Sequence, residues 1–297
     1  MVFFVLSGFL ITNLLHNERA RTQTISLRRF YLRRTLRIFP AYYAMVGIIA
    51  LLAAVGLVTG VDPRNLTICL FYLRNLGGTS EVLGHAWSLA LEEQFYLLWP
   101  TMFLLLPRGA RRAALVTALL IAAMTIARTV GIVRHWWPVA SGVFYERPWF
   151  RFDSLWIGCA LALWVADGSG SRTWLIRIPT SAWLLALLAW SLVANVGSLA
   201  PVYQTVEMVL AAGLLLRLRL APDGWVGWFL QTGFMRLLGK LSYSLYLWQQ
   251  LFLVTHTPEW GVLRAFPVSL LCVTAAALTS YVVIERPFLR LKDRLAR

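Results

Sequence analysis

Residues 85–100 read HAWSLALEEQFYLLWP, an apolar run headed by a histidine, a serine and two adjacent carboxylates. On a helix His85, Ser88, Glu92, Tyr96 and Trp99 recur at steps of three or four and share one face, with Glu93 turned about 100° away. A histidine and a carboxylate two turns apart suit proton transfer, because imidazole titrates near neutrality and a carboxylate can fix its tautomer. His85 and Glu92 are therefore the candidate catalytic pair. The alternative is that Glu92 meets a bundle arginine and serves the fold alone.

A second concentration of chemistry lies in RRFYLRRTLRIFPAYY, residues 28–43. Arg33 and Arg37 are four apart and Arg34 and Arg37 three apart, so a helix here presents a guanidinium fork. Such forks suit phosphate, which accepts bidentate hydrogen bonds. Anionic lipid head groups satisfy the same chemistry. Weaker candidates are Ser7 in FFVLSGFLI, Trp87 and Ser88 beside His85, and Tyr243 and Trp248 in KLSYSLYLWQQ. Ser7 and Gly8 also suit close helix packing. Arg128 and Glu207 fall in the outer halves of two apolar segments and suggest an ion pair between helices.

The elements that must position these groups follow from composition. Of 297 residues, 59% are hydrophobic and 14% charged, and mean hydropathy is +0.67. These values point to an integral membrane protein, since about 20 apolar residues cross a hydrocarbon core of roughly 30 Å. Candidate spans are the opening fifteen residues, 38–59, 87–106, 113–133, 151–166, 179–199, 202–220, 237–257 and 263–284. The expected fold is all-α, a polytopic transmembrane bundle of about nine spans. A short re-entrant or interfacial helix is expected near 66–76. The opening run has neither basic leader nor cleavage site and reads as most of a span rather than a secretory signal.

The net charge of +15 does not form a single stripe, which argues against nucleic acid. The basic residues cluster in alternate loops, around Arg28–Arg37, Arg108–Arg112, Arg217–Arg219 and Arg286–Arg297. The positive-inside rule places those loops in the cytoplasm. No linker or repeat divides the chain, so residues 1–297 are expected to be one domain. Cys69, Cys159 and Cys272 lack metal-ligand or disulfide spacing and read as packing residues. No metal site is expected. The loop 134–150, with HWWP and FYERPWF, reads as an aromatic interfacial belt or an acceptor-binding lid.

In order along the chain, FFVLSGFLIT (3–12), FYLRRTLRIFPAYY (30–43), HAWSLALEEQFYLLWP (85–100), RFDSLWIGCALA (151–162), SYSLYLWQQ (242–250) and IERPF (284–288) resemble acyltransferase family 3. These are integral-membrane bacterial O-acyltransferases. The resemblance implies a helical bundle in the cell membrane that moves an acetyl or other short acyl group from acyl-coenzyme A to a hydroxyl. The acceptor would be a carbohydrate, cell-envelope polysaccharide or glycoside. It assigns Arg34 and Arg37, with Arg33 beside them, to coenzyme A phosphates, and it matches Glu92, His85 and Trp87 to the family's central motif.

The family also carries a first helix with an arginine and, about three turns later, a histidine taken as its base. This sequence opens where the second helix is already under way, so an N-terminally incomplete member is expected. Gln249 stands where many relatives have a histidine. The contrasting expectation is an inactive fragment, or a membrane protein that transports or presents a substrate.

Overall fold

The computed structural model describes residues 2–136, 146–168, 177–193, 200–222, 224–253 and 260–295. Helix α1 runs Val2–Thr22 and α2 runs Leu27–Ala54. Ser26 caps α2 by accepting a hydrogen bond from the Arg29 backbone N–H at 3.4 Å. The arginine run is thus already helical, and α2 begins eleven residues ahead of the expected span. Helix α3, Pro63–Leu70, starts with proline at its first turn and an Asp62 cap on the Asn65 N–H at 2.6 Å. A 3₁₀ turn, Arg74–Leu76, follows. Eight residues rise only about 12 Å, so α3 cannot cross a bilayer.

Helix α4 covers Ala86–Leu105, α5 Ala110–Val133 and α6 Pro148–Asp167. Then come α7 (Thr180–Val193), α8 (Ala200–Leu220), α9 (Gly224–Leu230) and α10 (Gly233–Leu253). A short turn at Gly261–Arg264 precedes α11, Val268–Ser280. The chain continues through a π-helical turn, Tyr281–Glu285, into α12, Arg286–Leu295. Among the described residues there is no strand. Among the described residues four stretches are long and apolar enough to cross a membrane: α2, α5, α6 and the continuous run Val268–Leu295. The expected count was about nine, and the segment 151–166 is among the four. Residues 137–145 of the expected outer loop, 194–199 of one expected span and 254–257 of another lie outside the described residues.

The helices gather into two compact units whose boundary falls inside α4, between Ala90 and Leu91. The first comprises residues up to Ile25 and Leu91–Gln231. Its tightest packing is between α1 and α6. A Cβ built on Gly8 would lie 1.9 Å from the Leu155 carbonyl oxygen, and one on Gly158 would lie 2.0 Å from that of Val5. Only glycine permits this mutual approach, which explains the small residues in SGFL and WIGCALA. Cys159 supports it by directing its thiol to the Gly8 carbonyl at 3.6 Å. Trp99 of α4 is buried and donates its indole N–H to Thr12 at 2.9 Å.

The second unit comprises Ser26–Ala90 and Thr232–Arg297. Its core joins Tyr42, Met45 and Ile49 of α2 to Tyr72, Leu83, Leu247 and Trp248. Tyr42 stacks on Tyr72 with centroids 4.2 Å apart and donates its hydroxyl to the Cys69 carbonyl at 2.8 Å. A buried phenol needs such a partner, and here the bond fastens α3 to α2.

Candidate active site

In the first unit, Ser7 and Glu92 meet. Ser7 Oγ donates to Glu92 Oε1 at 2.9 Å. Tyr96, one turn beyond Glu92, donates its hydroxyl to Ser7 Oγ at 3.3 Å and to Glu92 Oε2 at 3.4 Å. Each carboxylate oxygen therefore carries a hydroxyl, one from α1 and one from α4. Gly8, the residue after Ser7, is where α1 meets α6 most closely. The sequence placed Tyr96 on the Glu92 face without giving it a role.

The same unit holds a second polar centre that spacing did not reveal. Arg128 of α5 and Asp153 of α6 are 4% and 0% exposed and form an ion pair at 2.7 Å. Arg128 also donates to the Phe150 carbonyl at 3.0 Å and to Thr205, and Thr205 donates to Asp153 at 3.1 Å. Gln204 adds a bond to the Phe150 carbonyl at 2.8 Å. The carboxylate that meets Arg128 is thus Asp153, where the sequence suggested Glu207. RFDSL contains the residue, but only packing shows which acid faces the guanidinium. A cavity of about 190 Å³ in this unit is lined by Pro179, Thr180, Ser181, Arg217, Trp225 and Val226, and by none of these groups.

In the second unit, His85 sits in the turn just ahead of α4 and is 7% exposed. Its ring meets Tyr246 edge-on, with centroids 5.3 Å apart at 68°. Tyr246 donates to the His85 carbonyl at 2.7 Å, and Ser88 lies in hydrogen-bond contact with the Tyr246 hydroxyl. Neither ring nitrogen makes a hydrogen bond of full geometry, although the backbones of Val82 and Leu247 lie alongside. Burial pushes the imidazole down to about 4, and the Arg74 guanidinium adds to the effect. His85 is therefore neutral at neutral pH. His85 belongs to the second unit and Glu92, its expected partner, to the first.

The other expected residues take distinct places in the second unit. Arg33 and Arg34 are half-buried on α2 and Arg37 is exposed. Arg34 lies over the Phe30 ring at 5.8 Å. Tyr243 donates to the Ile38 carbonyl at 2.8 Å, tying α10 to α2 one residue beyond Arg37. Trp248 is buried in the core, and Trp87 is half-buried in the first turn of α4. Among the described residues no group of three or more His, Cys, Asp or Glu side chains could hold a metal ion.

The family model described as an acyltransferase domain matches residues 1–286. The chain belongs to acyltransferase family 3. The O-acetyltransferase OatA of Staphylococcus aureus (strain NCTC 8325 / PS 47) is 28% identical over 96% of this chain and 51% of its own length. YrhL of Bacillus subtilis (strain 168) is 28% identical over 96% of this chain and 49% of its own. The peptidoglycan O-acetyltransferase OatA of Listeria monocytogenes serovar 1/2a (strain ATCC BAA-679 / EGD-e) is 30% identical over 54% of this chain and 28% of its own. The chain thus spans about half the length of the first two relatives. No solved structure matches it. Within the family 3 match fall Ser7, the α2 arginines, His85, Glu92 and Glu285, so both units contribute residues from the quoted motifs.

Proposed function

We propose that this family 3 chain is the membrane-embedded part of an O-acyltransferase. It moves an acetyl or other short acyl group from acyl-coenzyme A to a hydroxyl of a cell-envelope carbohydrate. The observation that carries the reading is the family match along residues 1–286. The relative named as a peptidoglycan O-acetyltransferase supports an envelope glycan as acceptor. The arginines of α2 support a phosphate-bearing donor, because a guanidinium keeps its charge and fits phosphate oxygens in pairs.

The reaction needs the acceptor oxygen to attack the thioester carbonyl carbon. A C–O bond forms, the C–S bond breaks, and the acceptor's proton passes by way of a base to the departing sulfur. Glu92 receives the leading assignment, since hydroxyls from two helices hold its carboxylate in one orientation, as an orienting group for a protic substrate must be held. His85 has the protonation state of a base at neutral pH. With a pKa of about 4 it is a weak one. The remaining long helices α1, α4, α8 and α10, with α7, complete about nine crossings of a bacterial cell membrane in this reading, with the arginine-rich ends in the cytoplasm.

The test supplies purified protein with radiolabelled acetyl-coenzyme A and extracted envelope glycans, and looks for alkali-labile label on the glycan. Glu92→Gln should lower transfer at least about tenfold while leaving folded protein in the membrane. Undiminished transfer would return Glu92 to a structural role, and absence of any labelled ester from active relatives' acceptors would overturn the reading.

A further inference from the structure

The cavity of about 190 Å³ in the first unit is lined by none of the residues assigned to acyl transfer, and its wall holds an arginine. It forms where α7 begins and α8 ends. About one turn in from those ends the two helices press together, since a Cβ built on Gly213 would lie 2.2 Å from the Trp183 ring. Thr180 and Ser181 of α7 and Arg217 of α8 line the cavity together with Trp225 of α9. Gly224, at φ +72°, lets the chain turn into α9. Gly227 then holds α9 against the end of α8, because a Cβ there would lie 2.2 Å from the Pro222 carbonyl oxygen.

Arg217 is 6% exposed. Its Nε donates to the Ile178 carbonyl at 3.1 Å and its Nη1 to the Ala221 carbonyl, which fixes the guanidinium in the cavity wall. Carbonyls orient a guanidinium without cancelling its charge, and its five N–H donors exceed what two carbonyls require. Arg177 and Arg219, both exposed, add positive charge at the same ends of α7 and α8. Among the described residues that line the cavity there is no acid. Buried Thr180 and exposed Ser181 contribute hydroxyl donors. This wall suits an anion with several oxygen acceptors.

The surroundings suit a lipid anion. Helix α9 carries no charged residue, and Trp225 and Trp228 on it are 70% and 71% exposed, with Phe229 and Leu230 exposed beside them. Aromatic side chains in such a series belong at the head-group level of a bilayer, where the indole N–H meets polar groups and the ring meets acyl chains. In the nine-crossing arrangement this end of α8 faces the cytoplasm, the side on which basic pockets between helices bind anionic head groups. We propose that the cavity is a binding site for the head group of an anionic phospholipid. Arg217 faces the phosphate, Thr180 and Ser181 donate to its oxygens, and Trp225 lies where the acyl chains begin. The site stands or falls separately from acyl transfer.

The experiment titrates the purified chain in detergent with phosphatidylglycerol that carries a photoreactive group beside its head group. Label on the peptides containing Ser181 and Trp225 is quantified by mass spectrometry. Both peptides should be labelled, and unlabelled phosphatidylglycerol should compete at least about fivefold better than phosphatidylcholine. Inorganic phosphate and coenzyme A at the same concentrations should leave the label in place. Arg217→Gln should weaken labelling about fivefold. Ser181→Glu should weaken it at least as much by placing a negative charge in the wall, and Ser181→Asn should stay within about twofold of wild type.

Equal competition by phosphatidylcholine would overturn the proposal, and so would absence of label from both peptides. Displacement by inorganic phosphate or coenzyme A would mark a site for soluble phosphates and refute the lipid assignment. A loss in Ser181→Asn as large as in Ser181→Glu would refute charge as the cause. Should Arg217→Gln fail to fold, because Arg217 also holds Ile178 and Ala221, the exposed Ser181 decides, with wild-type labelling of Ser181→Glu overturning the proposal.

Discussion

Ser7 and Glu92 are separated by 84 intervening residues, and their hydrogen bond at 2.9 Å is the contact on which the candidate site turns. Its worth can be bracketed. A hydrogen bond to a charged acceptor contributes about 1.5 to 3 kcal/mol in soluble proteins. Bonds between transmembrane helices average about 0.6 kcal/mol and reach about 1.7, because the chain unfolded within the membrane also finds partners. Both residues are half-buried, and Tyr96 remains on the carboxylate when Ser7 is removed. A coupling of about 1 kcal/mol follows from these limits. The measurement is a double-mutant cycle of Ser7→Ala and Glu92→Gln, read by reversible unfolding in bicelles, with Tyr96→Phe as a third corner. Additivity of the two single changes within about 0.3 kcal/mol would show that the bond contributes nothing, and with it would go the claim that α1 orients Glu92.

Gly8→Ala should force α1 from α6 by about 1 Å and destabilise the protein by about 1 to 3 kcal/mol, because its Cβ meets backbone rather than a yielding side chain; unchanged thermal stability would refute the clamp. Asp153→Ala should cost about 3 to 5 kcal/mol by stranding the Arg128 charge, and adding Arg128→Met should recover most of that loss. A double variant no more stable than the single one would contradict the pairing. For His85, the unfolded chain takes up a proton below the ordinary 6.5 while the folded one resists until about 4, so stability should fall as pH drops through that window, by about 3 kcal/mol in full. The same acid slope in His85→Gln would refute it. Cysteines placed at Arg108 and Arg290 should label from the cytoplasmic side only, and labelling from outside at either position would overturn the arrangement of about nine crossings.

The helical membrane class was legible because apolarity over about 20 residues is a direct report of the solvent that a segment must meet. Hydropathy reports depth, however, and helix limits answer to caps. Residues 28–37 are too charged to count toward a span, yet Ser26 starts α2 ahead of them and carries the arginines on the helix itself. The close approach of α1 to α6 was half legible. Ser7 and Gly8 announced close helix packing without naming Gly158 of α6 as the other side of it.

Side-chain partners were less legible still, for a geometric reason. Placing His85 and Glu92 on one helical face describes their relation to the helix axis and says nothing of which neighbours that face meets. His85 lies in the turn before α4 and packs on Tyr246 of α10, while Glu92 seven residues later meets Ser7 of α1. The sequence offered Glu207 to Arg128, and the packing of α5 on α6 brings Asp153 to it instead. Glu285 stands in the quoted IERPF motif, but nothing in YVVIE declares the π turn that ends at it. The α2 arginines and Glu92 could be proposed from sequence because phosphate binding and proton transfer are demanding in residue type. Asp153, which the sequence did not single out, is recognised only through its partners Arg128 and Thr205, and such a partnership can be seen only when both side chains are in view.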